Sequence, residues 1–116
     1  MKISKVIELI NGKILIGNID DSINYAFSSD LMSDVLAFVN EDTALLTGLV
    51  NNQVIRTAEM LDLGTIIFVR GKIPSEEVVD LAKEREMTLL TTNFTMFEAS
   101  GVLYKNGIEA LRISYE

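Results

Sequence analysis

The sequence predicts an α/β domain: a three-layer α/β/α sandwich around a central, mostly parallel sheet of about five strands. Two observations carry this. Short apolar runs alternate with amphipathic segments almost from end to end, as expected when crossover helices join parallel strands. The runs also lack strict polar alternation, so both their faces are apolar and they belong between two layers of helices. At 116 residues the chain is one domain, 1–116, long enough to bury a core without staples.

The strands are expected at Lys13–Gly17, Tyr25–Phe27, Thr43–Thr47, Thr65–Val69 and Thr88–Thr91. Ser4–Ile10 reads as a helix covering one side of the sheet. Between strands, Leu31, Val35, Phe38 and Val39, then Val54, Ala58 and Leu61, then Val78, Leu81 and Ala82 recur at helical spacing, each giving one buried stripe. Pro74-Ser75-Glu76-Glu77 marks a helix start with a proline, a capping hydroxyl and two carboxylates at the positive dipole end. Thr95-Met96-Phe97-Glu98 is a capping box with Phe94 as a hydrophobic staple; it opens a helix from about Met96 to Tyr104, ending near Asn106-Gly107. Leu111, Arg112 and Ile113 are read as a short edge strand. Met32, Met60, Met87 and Met96 are read as core filler.

Composition removes many functions. The chain has no His and no Cys, so it offers no imidazole base, thiol nucleophile, thiolate or imidazole metal site, or disulfide. Its 10 Lys plus Arg against 17 Asp plus Glu, a net charge of -7, oppose binding to nucleic acid. Neither a signal-peptide pattern nor an apolar run of about 20 residues occurs, so the expectation is a cytoplasmic protein with no membrane contact. Asp20-Asp21 and Glu41-Asp42 lack calcium-loop spacing, and no metal site is expected. Glu76, Glu77 and Asp80, with Lys83, Glu84 and Arg85, read as a solvated helix face, and Arg56 as an intrahelical partner of Glu59. No cofactor is expected.

In a parallel sheet, ligands bind beyond the carboxyl ends of the strands. The residues that follow the strands are Ser28, Ser29 and Asp30; Thr47, Gly48, Asn51 and Asn52; Arg70, Gly71 and Lys72; and Thr91, Thr92 and Asn93. Together they would form a rim of hydroxyls, amides and two cations suited to an anion such as phosphate. Each also has an ordinary structural reading: Asp30, Asn51, Asn52, Thr92 and Asn93 are preferred helix caps, and Gly48 and Gly71 are backbone hinges. Glycine-rich phosphate-loop motifs are absent.

Gly101 falls inside the last helix, at a cost of roughly 1 kcal/mol relative to Ala. That suggests the close approach of a second backbone, from a neighbouring helix or a partner subunit. Met96, Phe97, Leu103 and Tyr104 supply more apolar side chains than one stripe needs. With 48% hydrophobic residues overall, a homodimer is the simplest cover.

Several blocks resemble a stand-alone DRTGG-domain protein: Ser29-Asp30-Leu31-Met32-Ser33-Asp34-Val35-Leu36-Ala37; Leu45-Leu46-Thr47-Gly48-Leu49, continuing through Gln53-Val54-Ile55-Arg56-Thr57-Ala58; Ile67-Phe68-Val69-Arg70-Gly71; and Thr91 to Leu103. The resemblance implies a domain similar to the N-terminal domain of HPr kinase/phosphorylase, with no catalytic residues. In multidomain members such domains accompany CBS domains in regulated pyrophosphatases, contributing to the dimer contact beside an adenine-nucleotide site, and related domains precede phosphotransacetylase catalytic domains. Two departures stand out. Leu49-Val50-Asn51-Asn52 occupies the place of the family's Asp-Arg pair, and Arg70-Gly71 carries one glycine of the later pair.

The expected function is therefore a non-catalytic, ligand-sensing regulatory module. It would be dimeric through a sheet edge or helix packing, and would bind a small phosphorylated ligand such as an adenine nucleotide at the strand carboxyl ends. The alternative is an assembly module docking on an enzyme complex without a small ligand. An enzyme would have to work through Asp, Lys or Thr alone, and no paired carboxylates stand at a usable spacing.

Overall fold

A computed structural model describes residues 1–39 and 42–112. The elements are α1 (Ile3–Ile10), β1 (Lys13–Ile16), β2 (Tyr25–Ser28), α2 (Met32–Phe38), β3 (Thr43–Thr47), α3 (Asn52–Met60), β4 (Thr65–Phe68), α4 (Glu76–Glu84), β5 (Thr88–Thr91), α5 (Met96–Lys105) and β6 (Glu109–Ala110). The strands form one sheet in the order β1-β5-β4-β3-β2-β6. β2 to β6 are parallel, and β1 pairs antiparallel with β5.

Connection handedness explains the layers. From β2 to β5 each right-handed crossover steps the same way across the sheet, which places α2, α3 and α4 on one face. The step from β5 to β6 runs back the other way, so α5 lies on the opposite face beside α1. Side-chain alternation follows the same division. Leu45, Ile66, Phe68 and Leu89 join Val35, Val54, Ala58 and Val78 in one core. Ala44, Leu46, Ile67, Val69 and Leu90 join Ile3, Val6, Ile10, Ala99 and Leu103 in the other. Every residue of β3, β4 and β5 is buried, as their two-faced apolar pattern requires.

The caps form as the sequence indicates: Ser75 accepts from Val78 N (3.3 Å) and Thr95 from Glu98 N (3.2 Å). Four expectations are corrected. The buried stripe of α2 is Met32, Val35 and Val39, because the helix starts after Leu31; Leu31 and Phe38 are exposed. Met60 is exposed on the far side of α3 from Val54 and Ala58, whereas Met32 and Met87 are buried and Met96 borders the core. The sixth strand is Glu109–Ala110 rather than Leu111–Ile113, since Glu109 N already donates to Asn24 O and sets the register against β2; Ile113 lies outside the described residues. Glu59 pairs with Arg85 at the end of α4 instead of with Arg56, joining two helices. The hydrogen bond from Arg85 to Glu59, with the charge of Glu59, raises the guanidinium pKa above its ordinary value.

Candidate functional site

Where successive crossovers leave for opposite faces, the loops diverge and a crevice opens at the strand carboxyl ends. Here that point lies between β4, whose chain continues to α4, and β5, whose chain continues to α5. Arg70-Gly71-Lys72 leaves the first and Thr92-Asn93 the second. The two loops are stitched together, Arg70 N donating to Phe94 O and Gly71 N to Thr92 O, both at 2.8 Å. A small hollow of about 90 Å³ remains, lined by Asn11, Lys13, Gly71, Thr91, Thr92 and Asn93 with Ile73. Pockets for drug-sized ligands run from about 300 Å³ upward, so this one suits a group of phosphate size and no larger.

Lys13 and Asn11 were missed in the sequence. Hydrophobic period carries no strand direction, and only the antiparallel pairing of Lys13 with Thr91 brings the start of β1 to the rim. A strand paired through its edge to an otherwise parallel sheet is the signal that would have found them.

A second cluster lies one strand over. The Asp30 carboxylate accepts from Gly48 N (2.7 Å) and Thr47 Oγ1 (2.9 Å), and its other oxygen lies 3.9 Å from Arg70 Nη1. Asp30 is not a helix cap: Leu31 holds that position in α2. The Arg70 guanidinium lies against Gly48: a Cβ there would stand 2.8 Å from Cζ, so this flexible side chain would have to shift to admit one.

The thirteen rim residues therefore do not meet in one pocket. Asp30, Thr47, Gly48 and Arg70 form one cluster. Gly71, Thr91, Thr92 and Asn93 line the hollow. Lys72 is exposed beside it, its carbonyl accepting from Thr91 Oγ1 (2.8 Å). Thr92 is a structural tie: buried, it donates to Ile10 O (2.6 Å) and accepts from Phe94 N (3.1 Å). Asn51 caps α3 by accepting from Val54 N. Asn52 turns away to Glu77 (3.2 Å), lining an open groove between α3 and α4 with Arg56 and the carboxylates Glu76, Glu77, Asp80 and Glu84, the last of which also pairs with Arg85 (3.8 Å). Ser28 bonds Ser100 of α5 (2.7 Å), and Ser29 turns the chain by accepting from Leu31 N.

Charge is uneven along the strands. Lys13, Arg70 and Lys72 stand at the rim together with Asp30, Glu76 and Glu77, while Asp21, Asp42, Asp62 and Glu86 surround a hollow at the opposite end, with Lys83 beside Asp21 and Glu86. The amino ends of α3 and α4 lie at the rim and their carboxyl ends at the acidic pole, so the backbone dipoles act in the same sense. The dipoles favour an anion at the rim over the other end.

No protein-family model matches the chain, and no curated protein sequence matches it significantly. A solved structure does. Its description is the CBS and DRTGG domains of the regulatory region of a Clostridium perfringens pyrophosphatase, complexed with its activator, diadenosine tetraphosphate. The TM-score is 0.76 at 18% identity, covering 88% of this chain and 45% of that one. This likeness supports a DRTGG-like fold. The chain spans less than half of that structure. No helix among the described residues is long and apolar enough to cross a membrane.

Proposed function

We propose that the protein is a non-catalytic regulatory module that senses a small phosphorylated ligand, an adenine nucleotide being the leading candidate, at the carboxyl ends of β3 to β5. The observation that carries this is the placement of cations at the strand carboxyl ends in a chain of net charge -7: Lys13 lines the switch-point hollow, and Arg70 and Lys72 stand on either side of Gly71, which also lines it. The size of the hollow fits a phosphate, so the nucleoside would rest on the open surface outside it. The solved neighbour is a regulatory rather than a catalytic region and binds an adenine nucleotide, which supports the reading. With it we place the protein in the cytoplasm and beside the N-terminal domain of HPr kinase/phosphorylase, on the sequence blocks described above.

Thermal unfolding against a panel of nucleotides tests the proposal. Ligand at about a hundred times its dissociation constant adds roughly 2.7 kcal/mol. Arg70→Ala and Lys72→Ala are each expected to require about tenfold more ligand for the same shift, the value of one charge-assisted phosphate contact. Unchanged titrations in both variants would remove the electrostatic part of the proposal.

The second element is a homodimer through α5. Among the described residues, nothing outside its own helical turn lies within 4 Å of a Cβ built on Gly101, so the close approach expected there is not made by them. α5 buries Ala99 and Leu103 and leaves Phe97 (89% exposed) and Tyr104 (64%) in solvent. At 3.6 residues per turn, Phe97, Gly101 and Tyr104 fall within about 60° of one another. Large side chains flanking a central glycine are self-complementary about a two-fold axis at Gly101: Phe97 of one copy packs on Tyr104 of the other. The same axis sets Glu98 opposite Lys105 of its mate on one flank, so the charges match as well. Phe97→Asp is expected to halve a mass of twice the 12.9 kDa chain in light scattering. A monomeric wild type would contradict the dimer and turn the exposed stripe toward an enzyme-complex partner.

A further inference from the structure

The Asp30 cluster contains the chemistry of an anion seat, and that seat is already filled. A backbone N–H from Gly48, a hydroxyl from Thr47 and a guanidinium from Arg70 converge on one carboxylate. These are the donors an oxyanion uses. The Thr47 hydroxyl donates to Asp30 while its oxygen accepts from Leu49 N (3.2 Å). We propose that Asp30 is a built-in competitor: its carboxylate occupies the seat in the free protein, and an anionic ligand group enters by displacing it. This rests on the reading of the rim as a phosphate site and adds a second anion seat, one strand over from the hollow, whose occupancy Asp30 controls.

Three features make the carboxylate displaceable. Its side chain is 40% exposed and that of Arg70 48%, so the separated ion pair loses little, exposed pairs being weak. Asp30 does not cap α2, and Ser29 rather than Asp30 accepts from Leu31 N, so swinging the side chain into water leaves the helix start intact. Thr47 and Gly48 are buried at the end of β3, so their donors stay in place when the carboxylate leaves. A seat free only about one tenth of the time weakens apparent affinity about tenfold. Asp30 would thereby set the ligand concentration at which the module responds.

The test is a titration of ¹⁵N-labelled protein with inorganic phosphate, followed at the Gly48 amide, for the wild type, Asp30→Asn and Asp30→Ala. Asn keeps an acceptor for Gly48 without the charge, and Ala empties the seat; the dispersion of the same spectra reports folding for each. Asp34→Asn, which removes a neighbouring charge on α2 without touching the seat, controls for net charge. Both Asp30 variants are expected to bind phosphate about tenfold more tightly than the wild type, and Asp34→Asn less than twofold. Equal affinities, weaker binding in the Asp30 variants, or an Asp34→Asn gain as large as theirs would overturn the competitor while leaving the phosphate site standing. No response at Gly48 or at Arg70, Gly71 and Asn93 in any protein would overturn both.

Discussion

Gly17→Ala is expected to destabilise the domain by about 3 kcal/mol or more, lowering the melting temperature by roughly 10 °C or preventing folding. Gly17 follows β1 with φ +113°, a conformation that strains any L side chain. A Cβ there would also lie 2.6 Å from Thr88 Cβ and overlap other atoms of Thr88. The obstacle includes backbone, which cannot swing aside. The register of β1 on β5 shifts between Ile14 and Ile16, so the strand leaves the sheet through an irregularity that the glycine completes. Gly64→Ala supplies the matched control: Gly64 has no neighbour within 4 Å of a Cβ and no positive φ, and its substitution is expected to be neutral to slightly stabilising. Thermal melts of the two variants check this, and similar losses in both would contradict it.

Thr92→Val follows in size. Val keeps the shape but loses both hydrogen bonds of a hydroxyl that is 3% exposed, stranding Ile10 O at the end of α1 and Phe94 N before α5. Each unmet group costs about 1–3 kcal/mol, so a loss of roughly 2–4 kcal/mol is expected in chemical denaturation. Phosphate affinity in the folded fraction should stay near the wild-type value. A stable Thr92→Val with abolished binding would return Thr92 to the ligand site and contradict the structural tie assigned to it.

The central strands and their caps were legible because their signals are local. Thr65–Val69 and Thr88–Thr91 are apolar on both faces, and Ser75 and Thr95 head their helices in recognisable sequence frames. What escaped depends on partners distant in sequence. The antiparallel placement of β1, which delivers Lys13 to the rim, is fixed by pairing with residues nearly eighty positions later. Arg56 and Glu59 have helical spacing, yet Arg85 of the next helix takes the carboxylate. Asp30 looked like a cap because Asp often is one; its actual bonds to Thr47 and Gly48 come from the neighbouring strand. The parallel-sheet rule marks the strand carboxyl ends as one zone, and the loops that follow β3, β4 and β5 do lie there. The division of that zone into a hollow, a filled seat and a structural threonine required knowing which loops are stitched together.

The most direct test of the regulatory-module account is a titration of the ¹⁵N-labelled protein with ADP and with diadenosine tetraphosphate, mapping the amide shifts onto the fold. The account predicts saturable shifts concentrated at Gly48, Arg70, Gly71 and Asn93, lost or weakened about tenfold in Arg70→Ala. Shifts confined to the acidic pole or to α5, or none at concentrations up to several millimolar, would contradict it.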